Sequence, residues 1–213
     1  MNFRPTKLDG VWIIDPERSG DDRGWFARTF CTDAFAAHGI RLFDVEELPT
    51  HGGSLRIFGC RAEADRPATP AVNALRSREE AAGLDRLATY DGFAERVKTV
   101  KRRLLSFLVS TKNAGKSIDC YGAEAKRNTL LNYFGDRTYL LDYVVDASPH
   151  KQGLMLPGTR IPIMAPSRLR ETRPDYVLIL PWNLKEEIVE QMADVRSWGG
   201  RFVVAIPEVE ILE

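Results

Sequence analysis

The stretch KSIDCYGAEAKRNTLLNYFGDRTYLLDYVVD, residues 116–146, decides the fold class. Ser117 to Tyr121 is a short strand, Gly122 opens a turn, and Ala123 to about Tyr133 carries helical spacing. Tyr139 to Asp146 (YLLDYVVD) then reads as a second strand. The alternation continues downstream, with a brief strand at Ile161 to Met164, a helix at Pro166 to Glu171 and an apolar strand at Tyr176 to Leu180. Leu184 to Trp198 reads as an amphipathic helix stopped by Gly199 and Gly200, and Phe202 to Ile206 is the last strand. Strands separated by helices require crossovers, and crossovers place helices over both faces of a parallel sheet.

Upstream, the pattern is different. Val11 to Ile14, Gly24 to Phe30 (GWFARTF), Arg41 to Glu46 and Ser54 to Cys60 read as strands, with a helical turn or two at Asp33 to His38. The loop LPTHGG, with Pro49, Gly52 and Gly53, suits a wide hairpin. Residues 61–74 are poor in large apolar side chains and contain Pro67 and Pro70, the composition of a linker, and a short helix follows over Leu75 to Ala82. Tyr90, Phe93, Ala94, Val97, Val100, Leu104 and Leu108 then repeat at spacings of three and four, the strongest helical signal in the chain. Lys98, Lys101, Arg102 and Arg103 among them fit a solvated helix face. The expected fold is α/β: a small antiparallel β unit over 1–60, a linker and short helix over 61–89, and from 90 to 213 a long helix leading into a Rossmann-like parallel sheet with helices on both faces.

Composition narrows the function. The 213 residues carry 30 Lys and Arg against 30 Asp and Glu, so no broad electrostatic grip on nucleic acid is expected. No apolar run approaches the length of a membrane span, and MNFRPTKLDG lacks the apolar core of a signal peptide, so a cytoplasmic location is expected. Cys31, Cys60 and Cys120 stand far apart with no CxxC pair, which suggests neither a disulfide framework nor a metal site.

In an open parallel sheet, ligands bind beyond the carboxyl ends of the strands. The first strand delivers Tyr121, Gly122 and Ala123 to a helix N-terminus, where unpaired N–H groups can receive a phosphate and Lys126 can add a charge. The second delivers Asp146, close to where a dinucleotide fold places its ribose-binding acid. The fourth delivers Pro181, Trp182 and Asn183, an aromatic ring and an amide suited to a base or sugar. Plainer roles stand beside these: Gly122 for a tight turn, Lys126 for solvent, Asp146 to cap a turn before Pro149, and Asn183 to cap the following helix. The chain has no GxG tripeptide, and Arg127 stands where a third glycine would fall, so no NAD site is expected.

Five stretches carry a resemblance: FDVEELPTHGGSLR (43–56), YGAEAKRNTLLNYFG (121–135), DASPHKQGLMLPGTRIPI (146–163), PDYVLILPWNLKEEI (174–188) and WGGRFVVAIPEVEIL (198–212). From about residue 42 to 213 the sequence resembles the C-terminal part of the sugar C-methyltransferases, which act on nucleotide-linked deoxysugars with S-adenosylmethionine. The resemblance implies that 43–60 is the closing β-hairpin of a methyltransferase domain and that the zinc and S-adenosylmethionine domains precede it. Neither a zinc cysteine cluster nor an S-adenosylmethionine loop is found in these residues, so no cofactor is expected and methyl transfer by this chain alone is not. Glu124 and Arg127 occupy a turn where the family has small residues. Glu124 would repel a pyrophosphate and Arg127 could offset it.

FRPTKLDGVWIIDPERSGDDRGWFARTF (3–30) resembles instead the start of dTDP-4-dehydrorhamnose 3,5-epimerase, up to about residue 40. In that family the segment forms the first strands of a cupin-type barrel, and the resemblance implies that Arg23 and Phe26 help hold a dTDP group, often across a dimer interface. None of His38, His51 and His150 falls in the epimerase's histidine motif, so epimerase activity is not expected. The chain thus reads as parts of two deoxysugar enzymes joined near Gly39. It is expected to bind a dTDP-linked sugar, alone or beside a partner methyltransferase or epimerase. Two alternatives are an enzyme on a nucleotide-linked keto-sugar, with His51, His150 or Lys151 moving the proton, and a ligand-free oligomeric scaffold. Strands 11–14 and 24–30 are expected to cover the open edges of the hairpin in a four-stranded sheet, or to do so by exchange in a homodimer.

Overall fold

The computed structural model describes residues 1–22, 24–135 and 138–212, and of His51 only the backbone. The chain divides into two compact units, Met1–Leu87 and Ala88–Glu213. In the first, β1 (Asn2–Pro5) pairs antiparallel with β2 (Trp12–Asp15), β3 (Arg18–Asp21) with β4 (Gly24–Ala27), and β5 (Ile40–Leu48) with β6 (Ser54–Arg61). These are three separate two-stranded sheets. The expected four-stranded unit, joining 11–14 and 24–30 to the hairpin, is therefore not formed. Each strand instead finds its partner immediately beside it in sequence, where loop closure costs least.

Helix α1 (Thr32–Ala36) is held to the first ribbon by aromatic rings. The His38 ring stacks on Phe3 at 3.9 Å between centroids and meets Trp12 edge-on at 4.9 Å, while Phe35 meets Phe3 at 5.4 Å. Helix α2 (Pro70–Ala81) begins earlier than the expected Leu75, because Pro70 is tolerated at the first helical position, where its missing N–H would have had no partner anyway. The segment before it is tethered rather than free. Arg41 donates to the carbonyls of Ala64 and Arg66, and the Thr69 N–H donates to the Phe43 carbonyl at 2.7 Å. No described residue from 1 to 87 is buried.

The second unit holds the core. It opens with the short α3 (Leu87–Asp91), which begins at the unit boundary, and the long α4 (Phe93–Asn113), which buries Leu104, Leu108 and Thr111. Lys98, Arg102 and Arg103 of α4 are exposed, as expected, whereas Lys101 is half-buried; Arg102 pairs with Glu95 at 2.7 Å, Arg103 with Glu208 at 3.1 Å, and Lys101 donates to the Tyr133 carbonyl at 2.7 Å. After them come β7 (Ile118–Tyr121), α5 (Ala125–Phe134), β8 (Val144–Val145), β9 (Ile163–Met164), α6 (Ser167–Thr172), β10 (Tyr176–Ile179), α7 (Lys185–Gln191), β11 (Arg201–Val204) and β12 (Glu210–Leu212). The sheet runs β12-β11-β10-β7-β8-β9, parallel throughout except for β12. From β7 the chain moves outward through β8 and β9, then returns to lay β10 on the other side of β7, so the order reverses between β7 and β10.

Alternation along the strands makes two cores. Ile118, Cys120, Val144, Leu178 and Val203 join Leu104 and Leu108 of α4 and Leu131 of α5 on one face. Tyr121, Val145, Val177, Ile179, Phe202 and Val204 join Leu169 of α6 and Ile188 of α7 on the other. Both faces are thus covered, and the strands read as continuous apolar runs for that reason. The strand expected at 139–146 shrinks to β8, because Leu140 and Leu141 both enter the first cluster and a strand would send neighbours to opposite faces. The helix expected at 184–198 ends at Gln191 and continues as a 3₁₀ segment, Ala193–Trp198. Among the described residues, no helix is long and apolar enough to cross a membrane.

Asp119 is the exception within this apolar sheet. It is 3% exposed, and its Oδ1 has no hydrogen-bond partner. Burial first, then the nearby Asp142 carboxylate, push its carboxyl up to about 6, against hydrogen bonds from Tyr143 and the charge of Lys112. The folded protein therefore holds this proton to higher pH than the unfolded chain, and folding loses stability as pH rises from about 4 to about 6. Asp119→Asn should gain on wild type across that window, by up to about 3 kcal/mol above it. Urea unfolding of both proteins at pH 4 and pH 7.5 checks this, and a difference independent of pH would refute it.

Candidate ligand site at the carboxyl edge of the sheet

Three strand ends are laced together where the sheet order reverses. The Gly122 N–H donates to the Val145 carbonyl at 2.7 Å, and the Leu180 N–H donates to the Tyr121 carbonyl at 3.0 Å. Gly122 sits at φ +97°, and a Cβ placed there would lie 2.5 Å from the Pro181 ring. The residue is thus glycine both for its backbone angle and for its closeness to Pro181. Beyond it, the Ala123 N–H donates to Asp146 Oδ2 at 2.8 Å, which ties the turn after β7 to the end of β8.

Asp146 serves the fold in several directions at once. Its Oδ1 accepts the Ser148 N–H at 2.8 Å, its Oδ2 also meets Lys151 Nζ at 3.0 Å, and its carbonyl accepts Gln152 Nε2 at 3.0 Å. Burial pushes the Asp146 carboxyl up, but the N–H groups of Ser148 and Ala123 and the Lys151 ammonium together outweigh it and hold the pKa below the ordinary value. The turn-capping role weighed for Asp146 is present, and with it a second role as acceptor for the Gly122–Ala123 turn.

Trp182 and Asn183 follow β10 in a short 3₁₀ turn, Trp182–Leu184. Asn183 does not cap α7, whose N-cap is Leu184 without a side-chain bond. Its Oδ1 instead accepts a hydrogen bond from Arg127 Nη2 in the first turn of α5. The same guanidinium lies over the Trp182 ring, 3.7 Å from its centroid. One face of the ring expected to stack on a base is therefore already occupied. Arg127 is 7% exposed, with Glu124 Oε2 at 3.5 Å from its Nε, an ion-pair distance that makes no hydrogen bond.

The structure brings Gly122, Ala123, Asp146, Lys151, Pro181, Trp182 and Asn183 into one connected edge of the second unit. Tyr121 contributes its backbone there, while its side chain enters the core on the α6–α7 face. Lys126 is exposed on α5, and His150 is exposed in the loop after β8. Lys151, weighed as a proton-moving group, is paired with Asp146. Phe26 belongs to the first unit, 72% exposed on β4. Arg23 and the His51 side chain lie outside the described residues. Among the described residues, no three His, Cys, Asp or Glu side chains are grouped to hold a metal. The sequence singles out Arg127 as standing where a third glycine would fall and as an offset to Glu124, but not its union with the Trp182–Asn183 pair 55 and 56 residues further on.

The edge is cross-braced enough to test by stability. Asp146→Ala strands the Ala123 and Ser148 N–H groups and should cost about 1–3 kcal/mol near neutral pH. The difference from wild type should shrink as pH falls through the carboxylate range, because the wild-type group then loses its charge as well. Gly122→Ala should cost more than about 1 kcal/mol at any pH, from its φ and from Pro181. Denaturant midpoints at pH 7 and pH 3.5 separate the two behaviours, and an Asp146→Ala loss that stays constant with pH would contradict the charge-based account.

Residues 49–207 match the family model described as the C-methyltransferase C-terminal domain. Residues 5–57 match that of dTDP-4-dehydrorhamnose 3,5-epimerase, so this likeness runs past residue 40 into hairpin β5–β6. NovU, a C-methyltransferase of Streptomyces niveus, is 35% identical over 184 residues, which is 86% of this chain and 44% of the relative. The chain therefore spans less than half the length of the curated relative it matches. The Gly122–Ala123 turn, the Asp146 loop and the Trp182–Asn183 segment all fall inside the 49–207 match, and on that match the chain belongs to the C-methyltransferase C-terminal domain family.

Proposed function

We propose that the second unit is a Rossmann-like module that binds a dTDP-linked deoxysugar and does not itself transfer a methyl group. Counting its six strands from β7, the sheet order is 3-2-1-4-5-6, which is the order of the doubly wound dinucleotide folds. The observation that carries the reading is the convergence of a glycine turn, a buried arginine, a tryptophan and an asparagine at the point where that order reverses. A cation, a ring and an amide supply groups that can recognise a phosphate, a base or a sugar. Both family resemblances concern sugar-nucleotide enzymes, which supports dTDP as the carrier.

Thermal unfolding with dTDP, a dTDP-4-keto-sugar, S-adenosylmethionine and NAD tests the reading. A ligand at about 100 times its Kd should stabilise the fold by roughly 2.7 kcal/mol. A shift of the midpoint with the dTDP compounds alone is expected. Trp182→Ala should weaken their binding by roughly 1–3 kcal/mol, through loss of ring contact or of the Arg127 platform. A shift only with NAD or S-adenosylmethionine, or with none of the four, would overturn the proposal.

The first unit is proposed to complete itself with a second copy of the chain. Its three ribbons leave strand edges unpaired, and its hairpin, α1 and α2 line an apolar groove of about 400 Å³ that includes Phe30, Phe35, Leu42, Val45 and Leu75. Open edges beside apolar surface are the features that dimers cover. Light scattering at micromolar concentration should give twice the chain mass, and Leu75→Asp should reduce it to one chain. A wild-type monomer would refute self-association.

A further inference from the structure

We infer that Arg127 is the anion-binding group of this edge, and that a ligand's acidic group docks on its guanidinium rather than on the Gly122–Ala123 turn. The inference rests on the reading of the carboxyl edge as a ligand site. In that reading the turn is the obvious phosphate cradle, but its Ala123 N–H is already given to Asp146 at 2.8 Å. A phosphate placed there would also face the Asp146 carboxylate. Lys151, at 3.0 Å, and the Ser148 N–H, at 2.8 Å, complete the neutralisation of that carboxylate from within. The turn is satisfied by its own chain.

Arg127 is not. Its side chain is only 9% exposed, yet its Nε–H reaches no acceptor, and Nη2 bonds only the neutral Asn183 Oδ1. A guanidinium carries five N–H donors in a planar fork, and burying it with so few acceptors leaves a desolvated charge in want of an oxyanion. Its nearest carboxylate, Glu124, stands off at 3.5 Å with its own side chain 41% exposed. Glu124 thus acts as a loose counter-ion that a ligand can displace. The Trp182 ring beneath the guanidinium and the Asn183 amide at Nη2 fix the plane and rotation of the fork, as bidentate recognition requires. Arg127 also lies in the first turn of the ten-residue α5, where the helix dipole favours an anion. A phosphate and a carboxylate share this chemistry.

Calorimetric titration of wild type, Glu124→Gln and Arg127→Gln with dTDP, thymidine, inorganic pyrophosphate and glucuronate tests the inference. Removing the competing carboxylate in Glu124→Gln should tighten anion binding severalfold. Arg127→Gln should weaken it by about tenfold or more, the scale of a lost charge-assisted pair. Uncharged thymidine should respond to neither. Glu124 is partly solvent-facing, so its variant remains informative even where Arg127→Gln fails to fold. Pyrophosphate binding without glucuronate would mark a phosphate site, and the converse a carboxylate site. Binding of dTDP that ignores both substitutions would overturn the inference and leave the nucleotide-sugar reading standing. Arg127-dependent binding of pyrophosphate or glucuronate without dTDP would keep the inference and overturn that reading. If no anion binds wild type, both fall.

Discussion

The close approach of Gly122 to Pro181 is the constraint on which the second unit's edge depends. A Cβ at residue 122 would lie 2.5 Å from the proline ring, so β7 and β10 can leave the sheet side by side only with a bare backbone at that point. Once they do, the first turn of α5 comes against the residues after β10. Arg127 then meets Trp182 and Asn183, partners far along the chain that share no local signal with it. The Ala123 N–H likewise meets Asp146 only because β8 lies on the other side of β7. One missing methyl group thus decides which side chains can share the edge.

The electrostatics of that edge divide into a closed half and an open half. Around Asp146, two N–H groups and one ammonium surround one carboxylate, and the lowered pKa records how fully the charge is met. Around Arg127, one amide oxygen and one carboxylate at ion-pair distance face a buried cation, and Nε–H makes no hydrogen bond. An isolated buried charge is costly, whereas one awaiting a partner is tolerated when the partner belongs to function. Asp119 shows the other resolution, in which a buried carboxylate relieves its cost by holding its proton to about pH 6. It lies within β7, away from that turn, so the same strand carries one acid that holds its proton up to about pH 6 and delivers another residue's backbone to an acid whose pKa is held low.

Much of the sheet was legible because its strands are buried on both faces. Runs such as Tyr176 to Leu180 announce themselves, and α4 declares its face through Leu104 and Leu108. The segment 139–143 misled because its apolar residues look like strand, while consecutive Leu140 and Leu141 in fact share one core. Strand β3, with sequence RSGD, is exposed along its whole length and offers no hydrophobic pattern to read. At the edge, strand-end position was enough to nominate Gly122, Asp146 and Trp182, since topology alone carries a parallel strand's last residues to a common side. Arg127 was not nominated, because a surface-like arginine on a helix becomes buried only through contacts that no spacing reveals.

The two units also differ in what holds them. In the second, strands and helices close two clusters in which many side chains are fully inaccessible, the condition for holding donors and rings at fixed positions. In the first, His38, Phe3, Trp12 and Phe35 pack ring on ring, yet no described residue is buried, and each sheet stops at two strands. Two-stranded ribbons are marginal in water by themselves, because a single pair leaves both edges and one face solvated. The arginine tethers from Arg41 to the 64–66 backbone supply polar order without supplying a core. A segment built in this way gains most from further surface to pack against. The physical character of each unit therefore matches its proposed task, a rigid edge for a small anion in one and an open, apolar face for association in the other.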